Sequence, residues 1–270
     1  VSVLNYNAAM LEALGVAPPT TWDEFADVGR KAKAKWPDGA GAGVLLAETA
    51  WVWLVGLPMV QSIYGNAFDE NDVINTGPEM AEVFKTVKGW YDEGWLPEPG
   101  TNYWALYENE LCPMVIDWQR AIARRPILGK RAQIAPLPSG GAGGTLLAGH
   151  GAIFPTASPN PKLAVRAFVE SFARSPIMQK SYLVEGKLAV QRSQYEHTGT
   201  LGEGAPAPDW MVALLPTIEK GTIHPPTVWS IEADAAVETA WGKFFQGQMT
   251  AEEALAEARG IIEKAVEAAQ

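Results

Sequence analysis

The chain has 270 residues, 47% hydrophobic and 19% charged, with 31 acidic against 21 basic side chains for a formal net charge of -10. That length and apolar content support one large or two smaller packed domains and exclude a disordered chain, while the acidic balance argues against a nucleic-acid or anionic-membrane surface and favours a neutral partner. The lone Cys112 precludes an internal disulfide, three histidines without metal spacing preclude a zinc finger, and no run of about 18 apolar residues reads as a membrane span.

Residues 1–6 read as an apolar strand and residues 8–14 as a short helix closed by Gly15, a usual residue just past a helix end. Thr21 and Glu24 have the spacing of a capping box, opening a helix that runs through Ala34 to the break at Pro37-Asp38-Gly39. Residues 39–43 alternate Gly and Ala without a phosphate-loop pattern. Val44, Leu45 and Leu46 predict a buried strand, and residues 48–53 a helix opening at its carboxyl end, where open α/β sheets place their ligands. Glu48 with Trp51 and Trp53 combines a hydrogen-bond acceptor with flat apolar walls, which suits a hydroxylated ring. The same residues also read as compensation of a helix dipole beside core packing.

Residues 78–90 predict an amphipathic helix with Met80, Val83, Phe84, Val87 and Trp90 inward. A short helix follows over residues 101–110, with Tyr103, Trp104 and Tyr107 as core, rim or cleft aromatics. Met114, Val115 and Ile116 form a buried strand that delivers Asp117 and Trp118. Arg120, Arg124 and Arg125 have the look of an anion site, but acids nearby favour a solvated face. After the flexible residues 139–144, residues 146–154 form an apolar run interrupted by Gly149, His150 and Gly151, a strand whose glycines admit another backbone or a ligand. A single histidine there reads as a polar contact and not as a catalyst. Beyond Ser158-Pro159-Asn160-Pro161, Leu163, Ala164, Ala167, Phe168 and Phe172 recur at helical spacing. A Pro and Gly run over residues 199–208 leads to a helix at residues 209–220. Pro225 and Pro226 then restrain the backbone ahead of Trp229 and a long helix over residues 231–245. Thr250 and Glu253 form a second capping box, with Leu255, Ala258, Ile261, Ile262 and Val266 as the apolar stripe of the last helix.

Six segments carry a resemblance through their order and spacing. They are Leu4-Asn5-Tyr6-Asn7, Pro18-Pro19-Thr20-Thr21-Trp22-Asp23-Glu24-Phe25, Ala135-Pro136-Leu137-Pro138, Ala148-Gly149-His150-Gly151-Ala152-Ile153, Ser158-Pro159-Asn160-Pro161-Lys162 and Thr250-Ala251-Glu252-Glu253-Ala254-Leu255. Together, over nearly the whole chain, they resemble the extracytoplasmic solute-binding proteins of ABC importers, family 1, the maltose-binding-protein-like sugar receptors. The resemblance implies an α/β, periplasmic-binding-protein-like two-lobed fold (type II). Residues 1–148 and 208–270 would form the C-terminal-type lobe, and residues 149–207 the inter-lobe crossing and the rest of an incomplete N-terminal-type lobe. It places the start of this sequence just after the first crossing, so that roughly the first third of a usual mature chain, and one wall of the cleft, lies outside it.

The function so implied is reversible binding of a sugar, oligosaccharide or polyol without catalysis, cofactor or metal. The receptor would be a monomer, periplasmic or extracellular, handing its ligand to the transmembrane subunits of an ABC permease, with any lipid anchor on a segment outside this sequence. The implied ligand-binding residues are Glu48, Trp51, Asp117, Trp118, Gly149, His150 and Trp229. Thr49 and Ala50 stand where the family carries Pro-Tyr after its Glu, which moves stacking to Trp51. Trp118 matches a stacking tryptophan but lacks the glycine turn. His150 occupies the second position of the family's glycine pair, and Trp229 falls where members place a ligand-facing aromatic. Trp229 also reads as a staple for the start of the long helix. Two other functions fit the residues. One is a glycosidase with Glu48 and Asp117 as paired carboxylates about 5 to 9.5 Å apart; the other is a receptor for an anionic ligand such as a glycerol phosphate, although basic residues do not cluster at the predicted cleft.

Overall fold

In the computed structural model, which describes residues 1–47, 49–147, 160–168, 170 and 208–269, the chain is built around its first strand. β1 (Ser2–Asn7) lies between β2 (Met114–Trp118) and β3 (Ala132–Ala135), antiparallel to both, with Leu4 opposite Ile116 and Ala135. Strand alternation sends Leu4, Met114 and Ile116 into one apolar layer and Val3, Val115 and Ile134 into the other. A sheet covered on both faces needs helices on both, and the order of elements supplies them.

Asn7 ends β1 and caps α1 (Ala8–Leu14), its Oδ1 accepting from the N–H groups of Ala9 and Met10 at 3.1 and 3.3 Å. Gly15 closes that helix in the left-handed region at φ 70. The capping box of α2 (Trp22–Lys35) forms as expected: Thr21 Oγ1 accepts from Glu24 N–H at 3.2 Å, and Glu24 accepts in return from Thr21 N–H at 3.3 Å. Five buried residues of α4 (Pro78–Asp92) are the predicted stripe, joined by Ala81.

Other expectations are revised. Residues 44–46 form no strand: Gly43 alone bridges, in parallel, to Val115, donating to Met114 O at 2.7 Å and accepting from Ile116 N–H at 2.9 Å. The chain then leaves the sheet edge with Val44 and Leu46 turned into the core. The helix expected from residue 48 begins at Trp51, after Ala50 at φ 64, and its first turn Val52–Gly56 is a π-turn in which Leu57 N–H reaches back to Val52 O. Pro58, without an N–H, sits at the start of the regular helix α3 (Leu57–Tyr64). The short helix expected over residues 101–110 is α5 (Tyr103–Glu108), and α6 (Arg125–Leu128) follows β2.

Of the apolar run at residues 146–154, β4 (Leu146–Leu147) is described, paired in parallel with β5 (Thr222–Ile223); Gly149, His150 and the rest of the run lie outside the described residues. α7 (Pro161–Phe168) turns Leu163 and Val165 outward. The single helix expected at residues 209–220 is two, α8 (Asp209–Ala213) and α9 (Leu215–Glu219), because Pro216 opens a new first turn. α10 (Ser230–Phe245) and α11 (Ala251–Ala269) complete the described chain. Thr250 and Glu253 cap α11 as predicted. Ile261 is half exposed, since a neighbour of Ile262 points about 100° away from the buried stripe.

α10 and α11 pack on each other and on α4. Trp241 of α10 stacks on Trp51 with centroids 4.2 Å apart and planes at 10°, and Phe84 of α4 meets both rings edge-on. Side chains between Leu4 and Leu146 and between Ala233 and Ile262 therefore share one core, while Trp210, Met211 and Leu214 pack with Val1 and Val3 on the other face of the sheet. α2 approaches residues 40–43 without room for side chains: a Cβ on Gly41 would stand 2.2 Å from Gly29 O, and one on Gly29 would stand 2.5 Å from the buried Trp95 ring. Gly29→Ala should therefore lower stability by about 1–3 kcal/mol through overpacking, despite the better helix propensity of alanine. A urea unfolding midpoint that falls with unchanged slope is the expected readout.

Candidate functional site

Strand direction defines one end of this assembly. The segment through Gly43 runs parallel to β2, so both finish on the side where β1 starts. Thr145 Oγ1, just ahead of β4, donates to Ser2 O at 2.6 Å, and His224, just after β5, donates its N–H to Leu147 O at 3.4 Å. The carboxyl end of β2 and the short β4–β5 pair thus lie beside each other at the end where β1 starts, and the carboxyl ends of strands are where α/β sheets offer ligands a crevice.

Asp117 and Trp118 take different directions there. Asp117 is fully buried, and its carboxylate is filled from within the fold: Oδ2 accepts from Trp104 Nε1 at 2.7 Å and from the Tyr103 hydroxyl at 3.0 Å, while Oδ1 accepts from Trp118 N–H at 2.6 Å. Burial, with Asp117 beside it, pushes the Tyr103 phenol above its ordinary value, so it stays a neutral donor. Asp117 is thus a brace of the site and not a ligand contact. Asn5 holds the following turn from the other side, donating to Trp118 O at 2.9 Å and accepting from Ala121 N–H at 2.9 Å. Trp118 itself is half-buried, with its ring beside the Arg120 guanidinium at 5.5 Å from ring centre to Cζ.

Trp51 is also corrected. It is wholly buried, stacked on Trp241 and pressed so close to Gly56 that a Cβ there would lie 2.4 Å from the indole, which leaves no face for a ligand. The indole two residues on, Trp53, is only partly buried and lies flat on the His224 imidazole with centroids 3.9 Å apart and planes at 16°. His224 Nε2 is 2.9 Å from Asp234 Oδ1, which fixes that ring against α10. Nothing in the spacing of His224 ties it to a tryptophan 171 positions earlier, so this contact is not legible from the sequence. Glu48, Gly149 and His150 lie outside the described residues; Ala50, two positions after Glu48, is hydrogen-bonded through its backbone to Glu238, whose carboxyl burial raises above its ordinary value.

Trp229 is half-buried beside a small cavity shared with Phe68, Asp72, Ile74 and His224, and its Nε1 is buried without a partner. A larger cavity of about 530 Å³ between residues 66–77 and α11 is lined by Phe68, Ile74, Arg259, Ile262 and Glu263 among others, and by none of the candidate ligand residues. Among the described residues no group of three or more His, Cys, Asp or Glu is placed to hold a metal ion, and no helix is long and apolar enough to cross a membrane. Cys112 is buried with its thiol pushed up to about 12 by desolvation, unsuited to nucleophilic work. Asp117→Ala should cost at least about 3 kcal/mol in denaturant unfolding, since two side-chain donors lose a charged acceptor at about 1.5 kcal/mol or more apiece. A variant as stable as the parent would show that the carboxylate braces nothing.

Comparison with known proteins bears on the fold and the family. The chain superposes on the maltose-bound MalE3 of Thermotoga maritima with a TM-score of 0.75 at 19% identity, covering 99% of this chain and 70% of that one. Against the sugar-binding protein MalE of Xanthomonas citri the TM-score is 0.79 at 17% identity, covering 99% and 69%. An ABC transporter solute-binding protein of Agrobacterium radiobacter K84 in complex with ribitol gives 0.77 at 19% identity, covering 97% and 69%. At these identities the likeness establishes the fold, the two-lobed α/β architecture of the periplasmic binding proteins. No curated protein matches the sequence. Residues 1–189 match the model of the bacterial extracellular solute-binding proteins, and the chain belongs to that family.

Proposed function

We propose that this protein is the substrate-binding component of an ABC importer, closing on a carbohydrate or polyol and delivering it to the transmembrane subunits of a permease. The observation that carries the reading is the half-buried indole of Trp118 at the carboxyl end of β2, on a main chain held by Asp117 and Asn5. A restrained aromatic face loses little freedom when a sugar ring settles on it. Trp229 supplies a second face, and Glu48 hydroxyl hydrogen bonds. Residues 1–148 and 208–270 form one lobe, and residues 149–207 the crossing and part of the other. Val228 and Ile231, 77% and 79% exposed, mark the rim that meets the second lobe. Solved relatives of the same fold hold maltose and ribitol. Membership of an extracellular family places the work outside the cytoplasm.

Chemistry on the ligand is disfavoured by the state of Asp117. A glycosidase needs two carboxylates open to the scissile bond, whereas both oxygens of Asp117 are occupied by donors of the fold. Tryptophan fluorescence and calorimetry against sugars and polyols should show saturable binding, and oligosaccharides recovered after long incubation should be intact. Release of reducing ends would replace the receptor by an enzyme. Trp118→Ala should weaken binding by about 1–3 kcal/mol, in keeping with other aromatic contacts. For Trp229→Ala a similar loss of affinity is expected; a large fall in thermal midpoint with affinity retained would instead make Trp229 a staple of α10.

A further inference from the structure

Arg120 follows Trp118 by two residues, and its side chain is 47% exposed. The neighbouring arginines are committed elsewhere. Arg124 bonds Glu108 at 3.0 Å and lies over the Trp104 ring, Arg125 donates to Ala132 O and Gln133 Oε1, and Arg131 pairs with Glu110. Arg120 is different. The carboxylate beside it is Asp117, at 3.8 Å from Nε, beyond hydrogen-bond length, and both Asp117 oxygens already accept from Trp104, Tyr103 and Trp118. A guanidinium carries five N–H donors in a planar fork, and here that fork stands on the rim of the proposed stacking wall, near the Trp118 ring.

We propose that the ligand is an acidic sugar, a uronate or an oligosaccharide bearing one, whose ring lies against Trp118 and whose carboxylate is taken by Arg120. This rests on the reading of Trp118 as part of a carbohydrate site. The planar fork matches a carboxylate in two parallel hydrogen bonds. Charge separates this class from a phosphorylated sugar: one arginine balances the single charge of a carboxylate, whereas a phosphate at neutral pH carries about 1.5 to 2 negative charges and the nearby cations are already bonded to groups of the fold. Arg120 is then the specificity-determining residue, and Asp117 the group that positions it by holding the turn.

The test is calorimetry on the full-length protein with galacturonate, glucuronate and digalacturonate, each beside its neutral counterpart, and with glucose 6-phosphate. The wild type should bind the uronates at least about tenfold tighter than the neutral sugars, a gap of about 1.4 kcal/mol. In Arg120→Gln that ratio should collapse towards one, Arg120→Lys should restore part of it, and Arg131→Gln should leave it unchanged. Neutral sugars bound as well as uronates, a preference surviving in Arg120→Gln, or glucose 6-phosphate bound in preference to uronate would each overturn the proposal while leaving a carbohydrate receptor in place. Binding of no sugar at all would overturn both.

Discussion

A carboxylate buried without exposure at the end of a strand is tolerable only when its oxygens are filled, and the arrangement at the edge of this lobe follows from how Asp117 meets that demand. Its partners come from two elements. Tyr103 and Trp104 belong to α5, and Trp118 N–H to β2 itself, so one charge ties a helix to a strand and sets the backbone of the residue after it. Asn5 completes the clamp from β1 with bonds to Trp118 O and Ala121 N–H. The turn at residues 118–121 is thereby held from two strands before any ligand arrives. Preorganisation of this kind is what allows a modest contact area to become affinity.

The second constraint is aromatic. Trp51 lies between Trp241 and Phe84, so the start of the α3 region, the middle of α4 and the last turns of α10 meet in one packed group. Trp241 Nε1 also donates to Leu46 O at 3.1 Å, anchoring the segment that leaves the sheet edge towards residue 48. Because α10 is fixed there, the loop ahead of it is fixed too: Asp234 on its second turn holds His224, and His224 holds Trp53 flat. Core packing near residue 241 therefore determines the position of side chains near residue 229, through a core assembled from chain segments far apart in sequence.

Local signals were the legible ones. Both capping boxes, the Gly15 stop and the stripe of α4 depend on contacts within a few residues, and all appear as read. The two-lobed fold was legible through the order of several weak segments rather than through any one of them. At the candidate site, side-chain orientation was what the sequence did not carry. Asp117 and Trp118 were treated as one unit, yet neighbours on a strand point to opposite faces: Trp118 shares a layer with Met114 and Ile116, and Asp117 falls on the Val115 side, where α5 lies. Trp51 was misassigned for a related reason. The helix opens three residues later than expected and begins with a π-turn, which rotates Trp51 inward and leaves Trp53 at the surface. β3 gave no warning, since Ala132-Gln133-Ile134-Ala135 has too little apolar contrast for a strand pattern to stand out.

The net charge of -10 favours a neutral partner for the surface as a whole, and how far it bears on a ligand at one site is a matter of range. At physiological ionic strength exposed charges are screened over about 8 Å, so acids scattered across a lobe add little to the potential at one rim. What a ligand meets there is the nearest unscreened groups and the hydrogen-bonding capacity they have left. Asp117 lies 3.8 Å from Arg120 Nε and offsets part of its field, but its oxygens are spent on three other donors and do not occupy the guanidinium fork. An acid that is satisfied internally thus lowers the cost of holding an arginine beside an indole without consuming what that arginine offers. The overall charge and the charge presented at the site are set by different residues, and selection of a ligand acts on the second.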